Sequence, residues 1–280
     1  MPKPPEKLEA LAGELKKLSE VLADEKPSEA LSPNRVLRVR RTIAQASENL
    51  RKVMEELDPI KRPGFVFDPS NPNIVGRLIG ITMVAQDRKP LAAIERFYGS
   101  GVYALYYKGG FPAYAQVSGK EHPVYVGKAD PADPGAKTAI EQEDRLYGRL
   151  NDHRKSIEKA EGTLLVEDFE YRALVVQSGW QIAAEGYLIH LFKPIWNNEA
   201  GICYGIGKHG DSPETRANLR SPWDTLHPGR SWAHRDRNMR DAHPEAEIIQ
   251  AIARHLAANP PFESVDQILL RFLDDIRSMS

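Results

Sequence analysis

A single cysteine, Cys203, is the entire thiol content of this 280-residue chain. One thiol allows no disulfide framework and no thiolate metal cluster within the chain, and it fits a reducing, cytoplasmic setting. An excess of charge of either sign is also missing. Basic and acidic residues cancel to a formal net charge of −1, so no global positive field argues for nucleic acid and any such case must be local. No run of about 18 apolar residues occurs, so no membrane span is expected. The opening MPKPPEKLEA lacks the apolar core of a signal peptide. Internal repeats and low-complexity tracts are absent as well. What is there, 41% hydrophobic and 28% charged, is the ordinary composition of a globular protein with a real core.

The stretch from Gly101 to Lys128 organises the rest. GVYALYY and VYVGK are short β-type runs, each bounded by glycine and carrying a tyrosine, Tyr103 and Tyr125. The interval between them is too long for a two-residue turn but can join antiparallel neighbours. Taken alone, the pair reads as a half-buried hairpin with amphipathic tyrosines.

Helices surround it. Leu8, Leu11, Leu15, Leu18 and Leu22 recur at helical spacing until Pro27, and a second helix with Arg35, Arg38, Arg40 and Arg41 runs from Ser32-Pro33 to Leu57. Residues 58–75 read as a linker, followed by two short helices, 74–86 and 91–97. A helix over about 138–160 sets Arg149 and His153 one turn apart. Residues 164–176 look like one or two strands. The next helix, 181–192, has Ile182, Leu188, Ile189 and Phe192 on its apolar side, and Glu185 falls within that side. A carboxylate there requires either an arginine partner or a cation.

In order, these residues are Tyr103 in GVY, Tyr125 in YVG, Arg149, His153, Glu185 in AAEGYLI and Asn197 in KPIWNN. Over roughly residues 99–200 the pattern resembles the GIY-YIG nuclease superfamily, with valine for isoleucine in both tripeptides. The long interval between the tyrosines, the histidine four residues after Arg149, and SPWDTLHPGRSWA at 221–233 resemble the type II restriction branch, and within it the enzymes that cut CCGCGG. The resemblance implies an α+β fold, a small central antiparallel or mixed β-sheet flanked by helices, with helical N- and C-terminal additions. Residues 1–60 would form a helical arm, 61–205 the nuclease core, 206–243 an arginine-rich DNA-contact segment and 244–280 the closing helices, all in one compact unit.

The implied chemistry is phosphodiester hydrolysis to 5′-phosphate and 3′-hydroxyl ends. Glu185 would hold one Mg²⁺ per active site, an ion that often uses one or two carboxylates and keeps its waters. Glu185 is the single carboxylate of the set, unless Glu143 or Asp144 turns inward. Arg149 would offer a cationic fork to phosphate oxygens. Tyr103 is the candidate general base, which needs a cation nearby to lower its pKa, with His153 as tuning partner. Tyr125 would position phosphate or water, and Asn197, with both a donor and an acceptor, would hold the Glu185 region and backbone in register.

DNA contact is expected from Lys128, Arg216, Arg220, Arg230, Trp232, Arg235 and Arg237. Between Arg216 and Arg240 stand six arginines against Asp224 and Asp236, with no lysine, and arginine suits guanine readout. A palindromic double-stranded DNA target implies a homodimer or higher homo-oligomer. The alternatives are a repair or homing nuclease of the same superfamily, or an inactive DNA-binding module.

Overall fold

The computed structural model describes residues 6–24, 32–57, 60, 66–160, 162–207, 219–234 and 239–278. The chain divides into two compact units, Met1–Gly64 and Phe65–Ser280. The first holds α1 (Glu6–Asp24) and α2 (Pro33–Leu57). Pro33 sits at the first helical position, where its missing N–H costs nothing, and the Ser32 carbonyl accepts from the Arg35 and Val36 N–H groups. Pro27 lies outside the described residues.

The second unit begins with α3 (Pro72–Val84), capped by the Asn71 side chain, which accepts from the Asn73 N–H. This Asx cap followed by proline starts the helix two residues before the expected Ile74. After β1 (Lys89–Pro90), the expected helix at 91–97 is only a 3₁₀ turn at Leu91–Ala93. Then come β2 (Gly101–Tyr107), β3 (Tyr125–Ala129), α4 (Arg145–Lys159), β4 (Phe169–Val175) and α5 (Gln181–Phe192). β5 (Leu219–Arg220), α6 (Pro222–Leu226), β6 (Arg240–Asp241), α7 (Glu245–Ala258) and α8 (Val265–Arg277) complete the unit.

The main sheet runs β1-β4-β2-β3 with every pairing antiparallel, and β5 and β6 form a separate two-residue parallel pair. The architecture is therefore α+β, with helical additions before and after the sheet. All seven residues of β2 are buried, so the hairpin is not half-buried as its tyrosines suggested. One face of β2 (Tyr103, Leu105, Tyr107) packs with Leu146, Leu150 and Ile157 of α4. The other (Val102, Ala104, Tyr106) packs with Met83 and Val84 of α3 and Ala184, Leu188 and Phe192 of α5. Antiparallel sheets often leave one face to water; here helices cover both.

Two local expectations fail for reasons visible in the backbone. α4 starts at Arg145, not near 138, because Glu143 adopts a left-handed φ of 57° and its carbonyl accepts from Gly99 N–H at 2.6 Å. Ile182, placed two positions from Ala184 and hence on the opposite side of α5, faces solvent and does not join the apolar side. Among the described residues, no helix is long and apolar enough to cross a membrane.

Candidate active site

The two signature glycines are required by close approach. A Cβ on Gly101 would meet the Leu174 carbonyl oxygen of β4 at 2.1 Å. A Cβ on Gly127 would meet the Tyr103 hydroxyl at 2.7 Å and the Tyr125 ring at 2.9 Å. Tyr103 stands opposite Gly127 in the register, and Tyr125 opposite Leu105. The missing side chain at Gly127 is what lets the two phenols meet, with ring centroids 6.0 Å apart.

α4 runs beneath this face. His153 is buried, its Nε2 2.8 Å from the Tyr103 hydroxyl and its ring 4.7 Å from that of Tyr125. Arg149, one turn earlier, is half-buried and hydrogen-bonded to Tyr103. Burial alone would lower the Arg149 pKa, but the adjoining Tyr103 and Tyr125 hold it raised.

α5 covers the other face of the sheet, yet Glu185 and Arg149 reach the same place. β3 is the edge strand, so side chains from both layers meet at its open edge. Glu185, Arg149 and Tyr125 line a polar cavity of about 550 Å³ together with Lys128, Asp130 and Asp152. The same three line an adjoining hollow of about 210 Å³ with Asn197, Glu199, Gly205 and Gly207. Six residues spread over nearly a hundred positions thus gather at one edge.

Electrostatics single out Glu185. Burial raises its pKa to about 7, Glu199 and Asp130 push the same way, and Lys128 opposes them. Among the described residues, no side chain forms an ion pair with it; a backbone hydrogen bond at Lys128 favours its charged form.

Three assignments need correction. Tyr103 is fully buried and lines neither cavity, and burial raises its pKa well above the ordinary value in spite of Arg149. A cation-lowered Tyr103 working directly as base is not what the geometry offers; the phenol at the cavity is Tyr125, whose pKa burial also raises. Asn197 performs the backbone half of its expected role and makes no hydrogen bond to Glu185. Its Oδ1 accepts from Val126 N–H at 2.9 Å and its Nδ2 donates to the Val126 carbonyl at 2.8 Å, fixing β3. Asp144 does turn toward the cavity, but Arg96 holds it at 2.6 Å; Glu143 is exposed.

The third correction concerns Arg230, which is in the core and not on a DNA-facing surface. Its Nε donates to Asp224 Oδ1 at 2.7 Å and its two terminal nitrogens donate to the carbonyls of Ile206 and Gly205, with Trp223 stacked 4.5 Å away. His227 is likewise buried, held between Tyr114 and Thr163. Arg220 pairs with Asp241 at 2.6 Å. Lys128 lines the larger cavity, paired with Asp130. Arg216, Arg235, Arg237 and the Trp232 side chain lie outside the described residues.

Asp130 and Glu199 escaped the sequence reading. Asp130 follows β3 directly in ADPADP, a segment that reads as a turn; Glu199 follows the Asn197-Asn198 pair. Among the described residues, no cluster of three or more metal-ligating side chains forms. A half-buried carboxylate beside a polar cavity that Asp130 and Asp152 also line fits a cation that retains water, and Mg²⁺ is bound in that manner.

No curated protein matches the chain. A family model described as the Eco29kI GIY-YIG domain matches residues 95–256, more than half of the sequence and all of the elements that supply Tyr103, Tyr125, Arg149, His153, Glu185 and Asn197. With both signature strands and the α4 and α5 side chains gathered at one sheet edge, the chain belongs to this GIY-YIG family of type II restriction endonucleases.

Proposed function

We propose that this nuclease cuts both strands of a specific DNA site, with one Mg²⁺ per active site held by Glu185, leaving 5′-phosphate and 3′-hydroxyl ends. The observation that carries the reading is the convergence of Tyr125, Arg149 and Glu185 from three elements on one polar cavity, the carboxylate with its pKa near 7 and no ion-pair partner among the described residues. Bound there, the ion would supply Lewis-acid neutralisation of the phosphate and the departing 3′-oxygen.

The chain's own groups do the rest. Arg149 presents its fork to phosphate oxygens, a charge-assisted contact that strengthens as charge builds up. Tyr125 meets the attacking water and takes its proton while giving its own to Tyr103. Tyr103 in turn gives its proton to His153 Nε2, 2.8 Å away. The resulting hydroxide forms the new bond to phosphorus as the bond to the 3′-oxygen breaks. Neither phenol has to exist as a free phenolate, so the raised tyrosine pKa values do not block this relay. The terminal acceptor is the His153 imidazole, whose unprotonated ring nitrogen can take a proton.

The proposed target is a GC-rich palindrome such as CCGCGG, from the similarity of 221–233 to enzymes of that specificity, and a palindrome calls for two active sites related by a two-fold axis. The test is plasmid DNA carrying CCGCGG, incubated with Mg²⁺ and the ends sequenced. Discrete fragments with the stated ends support the reading, and Glu185→Ala should bind the DNA without cutting it. Random nicking, or binding by the parent protein with no cleavage, would overturn it.

A further inference from the structure

α2 carries a feature that the nuclease site does not use. Val36, Ile43, Leu50 and Leu57 recur every seven residues, and Val39, Ala46 and Val53 fall between them at the alternate three- and four-residue steps. That is the apolar a and d spacing of a coiled-coil seam, unbroken along a helix of 25 residues. The ion pairs of Arg51 with Glu48 and Glu55 lie on the outer side, away from it. The seam is open along most of its length, with Ile43 57% exposed, Leu57 54% and Val39 43%, while Leu50 and Val53 are partly covered. α1 does not close it, since Leu18 of that helix is itself 53% exposed.

We infer that this seam pairs antiparallel with the same helix of a second copy of the chain. The inference deepens the proposed function and rests on it for the need for two nuclease sites. Charge sets the occupant and the direction. The first half of α2 carries Arg35, Arg38, Arg40 and Arg41 with no acid, whereas Glu48, Glu55 and Glu56 all lie in the second half. Antiparallel pairing sets Arg35 against the partner's Glu56 twice over. Parallel pairing would instead set Arg35 beside the partner's Arg40, a like-charge contact at flanking positions. The core layers mate in the same register: Val36 with the partner's Val53, Val39 with the partner's Leu50, and Ile43 with the partner's Ala46. Large against small at the centre is the interdigitation a close-packed seam needs. The contact is isologous, with its two-fold axis between Ala44 and Gln45, and so closes on itself as a dimer.

Sedimentation equilibrium on the full chain at low salt tests this. The parent protein should be a dimer, and Ile43→Asp should weaken it on the order of 100-fold or more by burying a carboxylate at the centre of the seam. Arg35→Glu and Glu56→Arg should each weaken the dimer, and the double variant should restore it. Val36→Cys combined with Val53→Cys should give, on oxidation, an interchain 36–53 bond located by peptide mass. A 36–36 bond would overturn the direction. An Ile43→Asp protein that dimerises as tightly as its parent would overturn the seam while leaving the paired-nuclease reading intact. A parent protein that is monomeric yet cuts both strands would overturn both.

Discussion

Tyr103, His153, Arg149 and Glu185 have counterparts in Tyr114, His227, Arg230 and Asp224, which lie outside the sheet, and the two sets behave oppositely. In the second set every group has its complement. Asp224 accepts from Arg230 and from the Ser221 hydroxyl at 2.6 Å; Arg230 also donates to the Ile206 and Gly205 carbonyls. Both His227 nitrogens are engaged, and the Tyr114 hydroxyl also accepts from Trp196 Nε1 at 2.8 Å. In the first set the acid is partly dehydrated, raised in pKa and pointed at a cavity. Three of the four residue types are shared, so the difference lies chiefly in how the acid is partnered: Glu185 has a backbone hydrogen bond at Lys128 and no ion pair among the described residues. A fully satisfied network stabilises a fold; one that leaves a carboxylate wanting a cation is poised to bind one.

The comparison can be broken by treating the two acids alike. Glu185→Gln should cost about 10³-fold or more in cleavage, the scale of losing a principal electrostatic contributor, with the melting temperature of the metal-free protein at pH 8 unchanged or higher. Higher is the expected sign because a carboxylate raised to about 7 destabilises the fold above that pH. A Glu185→Gln protein that melts well below its parent would mean that the pocket is structural after all.

The two arginines should divide the same way. Arg230→Met leaves Asp224 buried and uncompensated and should lose about 3–5 kcal/mol in urea unfolding. Adding Asp224→Leu should return much of that. Arg149→Met should cost about 10²–10³-fold in single-turnover rate and little stability. If the two losses were exchanged, the division drawn here would fail.

Acid titration sharpens the picture. Burial pushes the pKa of His227 down to about 3 and that of His122 down to about 4. Both are neutral in the folded and unfolded chain above about pH 7. Between the ordinary histidine value and these lowered ones the unfolded chain takes up protons that the folded chain refuses, so stability should fall as pH drops through that window. The ceiling is about 1.4 kcal/mol per pH unit for each histidine. His227→Gln should flatten the acid limb of a pH-stability curve; an unchanged slope would remove His227 from the account.

A pH effect of similar size is expected on metal affinity. Below about pH 7 the proton on Glu185 competes with the cation, so the half-saturating Mn²⁺ concentration, followed by electron spin resonance, should rise about tenfold per unit of acidification. It should level off above neutrality. A flat profile from pH 5 to 8 would argue that another group binds the ion.

Much of this was legible in the sequence because it is local. The β2 and β3 runs and the limits of α5 follow from spacing and bounding residues, while the six site residues follow from the resemblance of their order to the GIY-YIG pattern. What was not legible depends on chain return. Arg230 looks like a DNA-reading arginine until the backbone brings the Gly205 and Ile206 carbonyls over it. The start of α4 depends on Gly99, some forty residues earlier, donating to Glu143. That Tyr103 sits inside and Tyr125 at the cavity follows from their places on a central and an edge strand, an ordering that neither tripeptide contains.

Asn197 has a consequence beyond the reaction. By accepting from the N–H and donating to the carbonyl of one residue, Val126, its side-chain amide stands in for a fifth strand, and Trp196 N–H adds a bond to the Val124 carbonyl just before β3. An uncovered edge would invite a strand from another molecule. A carboxamide on the border of the sheet therefore doubles as a guard against self-templated aggregation, and Asn197→Ala should reveal that as faster fibre formation on mild heating, read by dye fluorescence.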